Sequence, residues 1–153
     1  MEINGIAHIV LTVSQFEDCV AFYKGLLPPL GLSLVFDGDD FCYHVGGRTG
    51  LGLSRAEEPF AEQRFDQRRV GLHHICFRAR SEADVDEAHV LVSRLVAEHG
   101  GLIDAPPNVG PWAPGYYFFV FEDPVGTRLE INFVPGAGVF AEDAEFDPGQ
   151  HYR

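Results

Sequence analysis

Residues 5–13, Gly-Ile-Ala-His-Ile-Val-Leu-Thr-Val, come back as residues 71–79, Gly-Leu-His-His-Ile-Cys-Phe-Arg-Ala, with His8-Ile9 and His74-Ile75 in matching places. A segment that recurs once within 153 residues implies two copies of one supersecondary unit, each too small to cover its own hydrophobic face. The two copies must therefore share a core.

The residues after each copy support this. Ser14-Gln15-Phe16-Glu17 has the pattern of a capping box, and Ser81-Glu82-Ala83-Asp84 is a weaker version of it. Apolar residues then recur at helical spacing, as Phe16, Val20, Tyr23 and Leu27 in the first copy and Val85, Ala88, Val92, Leu95 and His99 in the second. Pro28-Pro29 stops the first helix and Gly100-Gly101 the second. Short strands are predicted over residues 32–36, 41–45 and 50–54, then over 102–103, 116–122 and 128–134. The turns are Asp37-Gly38-Asp39-Asp40, Gly46-Gly47 and Asp123-Pro124-Val125-Gly126. The chain thus reads as one α+β domain over residues 1–153, made of two βαβββ modules. Module one covers 5–54, a charged linker 55–70, module two 71–134, and an extended Gly/Pro/acidic tail 135–153.

Successive strand residues face opposite sides of a sheet. If Ile9, Leu11 and Val13 face the core, His8, Val10 and Thr12 face away. In the second copy Ile75, Phe77 and Ala79 are the core set, leaving His74, Cys76 and Arg78, and in the last strand Leu129, Ile131 and Phe133 leave Arg128, Glu130 and Asn132. His8, His74 and Glu130 therefore sit on the non-core faces of three strands, and they converge if those faces curl into one trough. His73 falls with the core set and is left out.

The formal net charge of −12 argues against nucleic acid or an anionic membrane as partner, since both repel it. Small molecules or proteins are expected instead. Cys19, Cys42 and Cys76 lie in apolar segments without CxxC spacing and read as buried thiols in a reducing compartment. With no basic leader pattern and no run of about 20 apolar residues, the expected location is cytoplasmic.

With the two His-Ile strands and Asp123-Pro124-Val125-Gly126-Thr127-Arg128-Leu129-Glu130-Ile131 in hand, residues 5–134 resemble the vicinal oxygen chelate superfamily. This group contains glyoxalase I, extradiol dioxygenases, fosfomycin-resistance proteins, methylmalonyl-CoA epimerase and bleomycin-resistance proteins. Phe22-Tyr23, Leu26-Leu27, Gly31-Leu32 and Gly71-Leu72-His73-His74-Ile75 add to the likeness. The resemblance implies a glyoxalase-like fold whose trough holds one divalent metal, with His8, His74 and Glu130 matching three ligand positions. Gly52 stands where many glyoxalases and epimerases place a fourth ligand. Two histidines and one carboxylate leave about three positions of an octahedral ion for water and a bidentate oxygen substrate. Fe(II), Mn(II), Zn(II), Ni(II) and Co(II) all suit these ligand types.

The resemblance further implies a small metal-dependent enzyme, expected as a homodimer, whose subclass stays open among lyase or isomerase, dioxygenase and transferase. A metal-free drug- or metabolite-binding protein of bleomycin-resistance type is the alternative. Glu130, Tyr116 and His44 are the candidate catalytic residues, and Tyr117 shares their residue type. Arg128, Trp112 and Tyr43 are the candidate substrate-binding residues, with Trp112 as a lid on its Pro-rich loop.

Overall fold

The computed structural model describes residues 1–3 and 5–136. The predicted extended tail lies outside the described residues beyond position 136, as does His151. Each repeat builds its own sheet. The first comprises β1 (His8–Val13), β2 (Ser33–Asp37), β3 (Phe41–Gly46) and β4 (Thr49–Arg55), in the order β1-β4-β3-β2, with β1 and β4 parallel. The second comprises β5 (Ile75–Arg78), β6 (Leu102–Ile103), β7 (Asn108–Val109), β8 (Tyr117–Glu122) and β9 (Arg128–Phe133). Its order is β5-β9-β8-β6, with β7 also pairing with β8 and β5 and β9 parallel. The repeat seen in sequence is thus a repeat of sheet order, with β7 as an addition that its two-residue length hides.

Helix α1 (Phe16–Leu26) follows β1, and α2 (Glu82–His99) follows β5. Each lies on its own sheet and the two lie on each other, so both modules feed one core. Phe22, Tyr23, Leu26 and Leu27 from the first helical segment, Val85, Val92 and Leu95 from the second, and Leu53, Phe121, Leu129 and Ile131 from the sheets are all essentially inaccessible to solvent. Each such Leu, Phe or Ile contributes roughly 1.5–3 kcal/mol by its burial.

The two helix starts reverse the expected ranking of their caps. Ser81 is the N-cap of α2, and its hydroxyl accepts from the Asp84 amide at 3.1 Å. Ser14 caps nothing. Gln15 takes the N-cap position of α1 in a left-handed conformation, φ 43°, without a side-chain cap. The Ser14 hydroxyl instead donates to the Gln63 carbonyl at 2.6 Å, so a long-range bond to the linker has won over the local one. The thiols also differ from expectation, for Cys19 and Cys42 are buried while Cys76 is exposed. Cys76 lies in the same strand phase as Arg78, which faces away from the core.

The linker is held at several points. It forms one 3-10 turn, Glu58–Phe60. Beyond it the Phe65 amide donates to the Val125 carbonyl at 2.9 Å and the Arg64 guanidinium to the Pro124 carbonyl at 3.1 Å. That same turn, between β8 and β9, contains Asp123, which is fully buried. Asp123 accepts from the amides of Val125 and Thr127 at 3.0 and 2.7 Å and from the Tyr23 hydroxyl of α1 at 3.0 Å. Replacing Tyr23→Phe keeps the ring but strands a buried carboxylate oxygen, so a loss of about 1–3 kcal/mol is expected. Urea unfolding measures it, and a change below about 0.5 kcal/mol would contradict a structural role for the bond.

Candidate functional site

A cavity of about 400 Å³ opens on module two. Three stretches of chain build it. From β8 and β9, Phe118, Val120, Arg128 and Glu130 point into it, while their alternates Phe119, Phe121, Leu129 and Ile131 fill the core. His73 and His74 enter from the residues preceding β5, and Gln67 from the end of the linker. The loop between α2 and β8 supplies Asp104, Ala105, Asn108, Trp112 and Tyr116. This loop folds back on itself, the Gly110 amide donating to the Tyr116 carbonyl at 2.8 Å. A Cβ at Gly110 would sit 2.4 Å from the Trp112 ring, so only glycine lets the indole close over the cavity wall. Trp112, Tyr116 and Phe118 meet edge to face with ring centroids 4.8–5.5 Å apart, the arrangement aromatic quadrupoles favour.

Glu130 is the buried carboxylate of the site, 6% exposed. Its Oε1 accepts from the Tyr116 hydroxyl at 2.5 Å, and its Oε2 lies 3.4 Å from Nε2 of His74. Burial first, and then the bond to Glu130, hold the Tyr116 hydroxyl well above the usual phenol range, so at neutral pH it keeps its proton and donates. Burial likewise holds His74 below the ordinary histidine value, against the opposing pull of the Glu130 carboxylate. Nδ1 of His74 is 2.8 Å from Nδ1 of His73. Two donors each about 2.1 Å from one divalent ion stand roughly 3.0–3.4 Å apart in octahedral or tetrahedral geometry. The His74–Glu130 pair has that separation and the right donor types.

The other predicted residues are placed as follows. Arg128 lines the cavity with its guanidinium held by two carboxylates, Asp104 at 2.5 Å and Glu122 at 3.7 Å. Trp112 forms part of the wall. His8 is exposed at the start of β1, on the first sheet, and is not among the cavity's lining residues. Among the described residues no three His, Cys, Asp or Glu side chains are grouped to hold a metal. Tyr43 lies on the first sheet, over Gly50 and beside Phe41. A Cβ at Gly50 would meet its hydroxyl at 2.1 Å, and one at Gly52 would meet the Phe41 ring at 3.0 Å. Tyr117 donates to Asp86 at 2.8 Å, outside the cavity. His44 shares the core-facing phase of β3 with Cys42 and is fully buried.

Four cavity residues escape the sequence patterns. Strand alternation extended to His73 turns it toward the core, but β5 starts only at Ile75, and outside a strand the pleat gives no direction. Gln67 comes from the linker, Asp104 from the residue after β6 and Asn108 from the two-residue strand β7, all too short or irregular for a periodicity to signal them. A larger cleft of about 1060 Å³ lies where the modules meet, along Ile9, Leu51, Ile75 and Ile131. Among the described residues its largely aliphatic sheet walls contain no histidine–carboxylate pair, which leaves the smaller cavity as the candidate chemical site.

Two βαβββ sheets on a shared helical core, with a histidine and a carboxylate meeting in the second, define a class of α+β protein. The family model for the Glyoxalase/Bleomycin resistance protein/Dioxygenase superfamily matches residues 5–131, and the chain belongs to that superfamily. Uncharacterized protein YqjT of Bacillus subtilis (strain 168) is 30% identical over 126 residues, 81% of this chain and 94% of that one. A structure assigned as a glyoxalase from Bacillus halodurans superposes with a TM-score of 0.68 at 26% identity, covering 84% of this chain and 95% of its own. Lactoylglutathione lyase from Agrobacterium tumefaciens shares the fold with a TM-score of 0.63 at 23% identity, over 87% and 96% of the two chains. No helix among the described residues is long and apolar enough to cross a membrane.

His44 also carries a prediction. Its Nε2 is buried and bonded to no described group, and burial, with Lys24 adding and Asp37 opposing, holds it below the ordinary histidine value. The folded chain therefore rejects a proton that the unfolded chain takes up near pH 6.5. Stability from this source is complete above that pH and falls as the pH drops below it. Urea midpoints are expected to hold between about pH 8 and 7 and to fall from about pH 6.5 to 5. His44→Leu should flatten part of that slope, His74 contributing in the same direction. An unchanged slope in the variant would contradict it.

Proposed function

We propose that the chain is a divalent-metal enzyme acting on small substrates with two neighbouring oxygens, and that its site is completed between two copies of the chain. His74 and Glu130 of one copy would hold the ion together with His8 of the other. The observation that carries this reading is the His74–Glu130 pair, with Nε2 and Oε2 3.4 Å apart at the wall of a cavity. Glu130 is buried, with the Tyr116 hydroxyl on its Oε1 and the Cys76 thiol beside it, and a buried carboxylate held by neutral donors is well suited to a cation. Among the described residues His8 is not grouped with them, while the face of β1 that bears it, with Val10 46% exposed, is open to a second molecule.

The ion, when bound, supplies a Lewis acid for the two substrate oxygens. The chain's own groups prepare the site. Tyr116 donates to Oε1 of Glu130 and so fixes the carboxylate's orientation, leaving Oε2 toward His74. With His74 Nδ1–H donating to His73, the lone pair of Nε2 faces the same point. The rings of Trp112, Tyr116 and Phe118 exclude water from one flank. Gly52 adds no fourth ligand, and the space above it is already filled by Phe41 and Tyr43.

Elemental analysis of protein purified without chelator should find about one divalent ion per chain, and His74→Ala or Glu130→Gln should remove it. His8→Ala should remove it as well. Mixing His8→Ala with His74→Ala chains and allowing subunit exchange should restore about a quarter of the wild-type content, because half the dimers are then mixed and each has one intact site. Metal retained in His74→Ala would overturn the ligand assignment. Protein that binds no metal on reconstitution would instead be a metal-free binding module.

A further inference from the structure

The arginine in the cavity wall is already committed. Arg128 is paired with Asp104 at 2.5 Å and Glu122 at 3.7 Å, so the group that would ordinarily receive a substrate carboxylate or phosphate has two carboxylates on it, and one negative charge is left over. Glu130 adds another in the same cavity. An incoming anion would have to displace Asp104 or share its partner, while losing water in a pocket that is partly aromatic. The same cavity is lined by the edge-to-face cluster of Trp112, Tyr116 and Phe118, which offers flat apolar surface to a planar ring. Gln67 also lines the cavity, and its Oε1 is buried and accepts from no described group, a position that an O–H or N–H of a ligand would satisfy.

We infer that the cavity selects planar aromatic ligands without a negative charge, and that the Arg128–Asp104–Glu122 cluster is what sets this selection. The inference rests on the proposed metal-enzyme function for the presence of neighbouring oxygens, but the charge preference belongs to the apoprotein, where no ion offsets Glu130 and the cluster. Asp104 and Glu122 act by occupying the guanidinium rather than by touching the ligand's ring.

Trp112 is the chain's one tryptophan and lies in the cavity wall, so its fluorescence reports occupancy of this cavity. Titration with 1,2-dihydroxybenzene, neutral at pH 7, should change that signal with an affinity at least about tenfold tighter than 3,4-dihydroxybenzoate, which has the same two oxygens and one added carboxylate. Asp104→Asn with Glu122→Gln frees the guanidinium and should tighten binding of the benzoate about tenfold, with little change for the neutral ring. Adding Arg128→Gln should abolish that gain. Equal or tighter binding of the benzoate by the wild-type protein would overturn the inference, as would a failure of 1,2-dihydroxybenzene to change the fluorescence. Running both titrations with and without added Mn(II) separates the two readings. Charge discrimination in protein that takes up no metal upholds this inference and overturns the metal reading. Metal uptake together with no charge discrimination in the metal-free titration does the reverse.

Discussion

A tyrosine hydroxyl from the first helix reaches a buried carboxylate in the last turn, and much of the molecule is arranged around that contact. Asp123 is inaccessible to solvent and raised by burial above the usual carboxylate range, while the bonds from Thr127, Tyr23 and Val125 oppose the rise. A group so placed is tolerated only if its oxygens are satisfied, which fixes three things together. It sets where α1 lies against the second module, how the turn between β8 and β9 is shaped, and through the Phe65 amide on Val125, where the linker runs. Gln67 comes two residues after Phe65, and Arg128 comes directly after the turn. The cavity's linker wall and its β9 wall are therefore positioned by the same buried joint.

Much of this is legible from the residues themselves. The repeated His-Ile segment predicts two equivalent sheets because a pattern of strand, helix and strands can bury itself in few ways, and the apolar spacing of Val85, Ala88, Val92 and Leu95 matches the buried face of α2. Strand alternation correctly separates Glu130 from Leu129 and Ile131. It fails where its premise fails. His73 lies before β5 and Gln67 in the linker, so neither obeys a pleat. Alternation also says which face a side chain takes, never which other face it will meet. His8 and Glu130 both point away from their cores, yet they sit on different sheets whose helices, packed on each other, hold the modules together. Ser14 shows a related limit. Its local pattern suits a helix cap, but the Gln63 carbonyl, 49 positions away, takes the hydroxyl.

Polar groups in the two modules are treated differently. In the second module Glu130 is engaged by Tyr116 and His74, and Arg128 by Asp104 and Glu122. In the first module the buried polar ring is His44, which has Cys42 as its neighbour at 3.9 Å and no bond from a described group on its other nitrogen. A poorly compensated titratable group thus lies in the core of the module that lends no walls to the cavity.

The rings lying over Gly50 and Gly52 have a bearing on how such a protein can change over generations. A fourth ligand on β4 needs a side chain at Gly52, but one there meets Phe41 and Tyr43, and one at Gly50 meets the Tyr43 hydroxyl. A side chain there fits only if the rings give way, by a few tenths of an ångström over Gly52 and by more over Gly50. A change at either glycine is therefore coupled to a rearrangement of Phe41 and Tyr43, so this face of β4 alters only by more than one step.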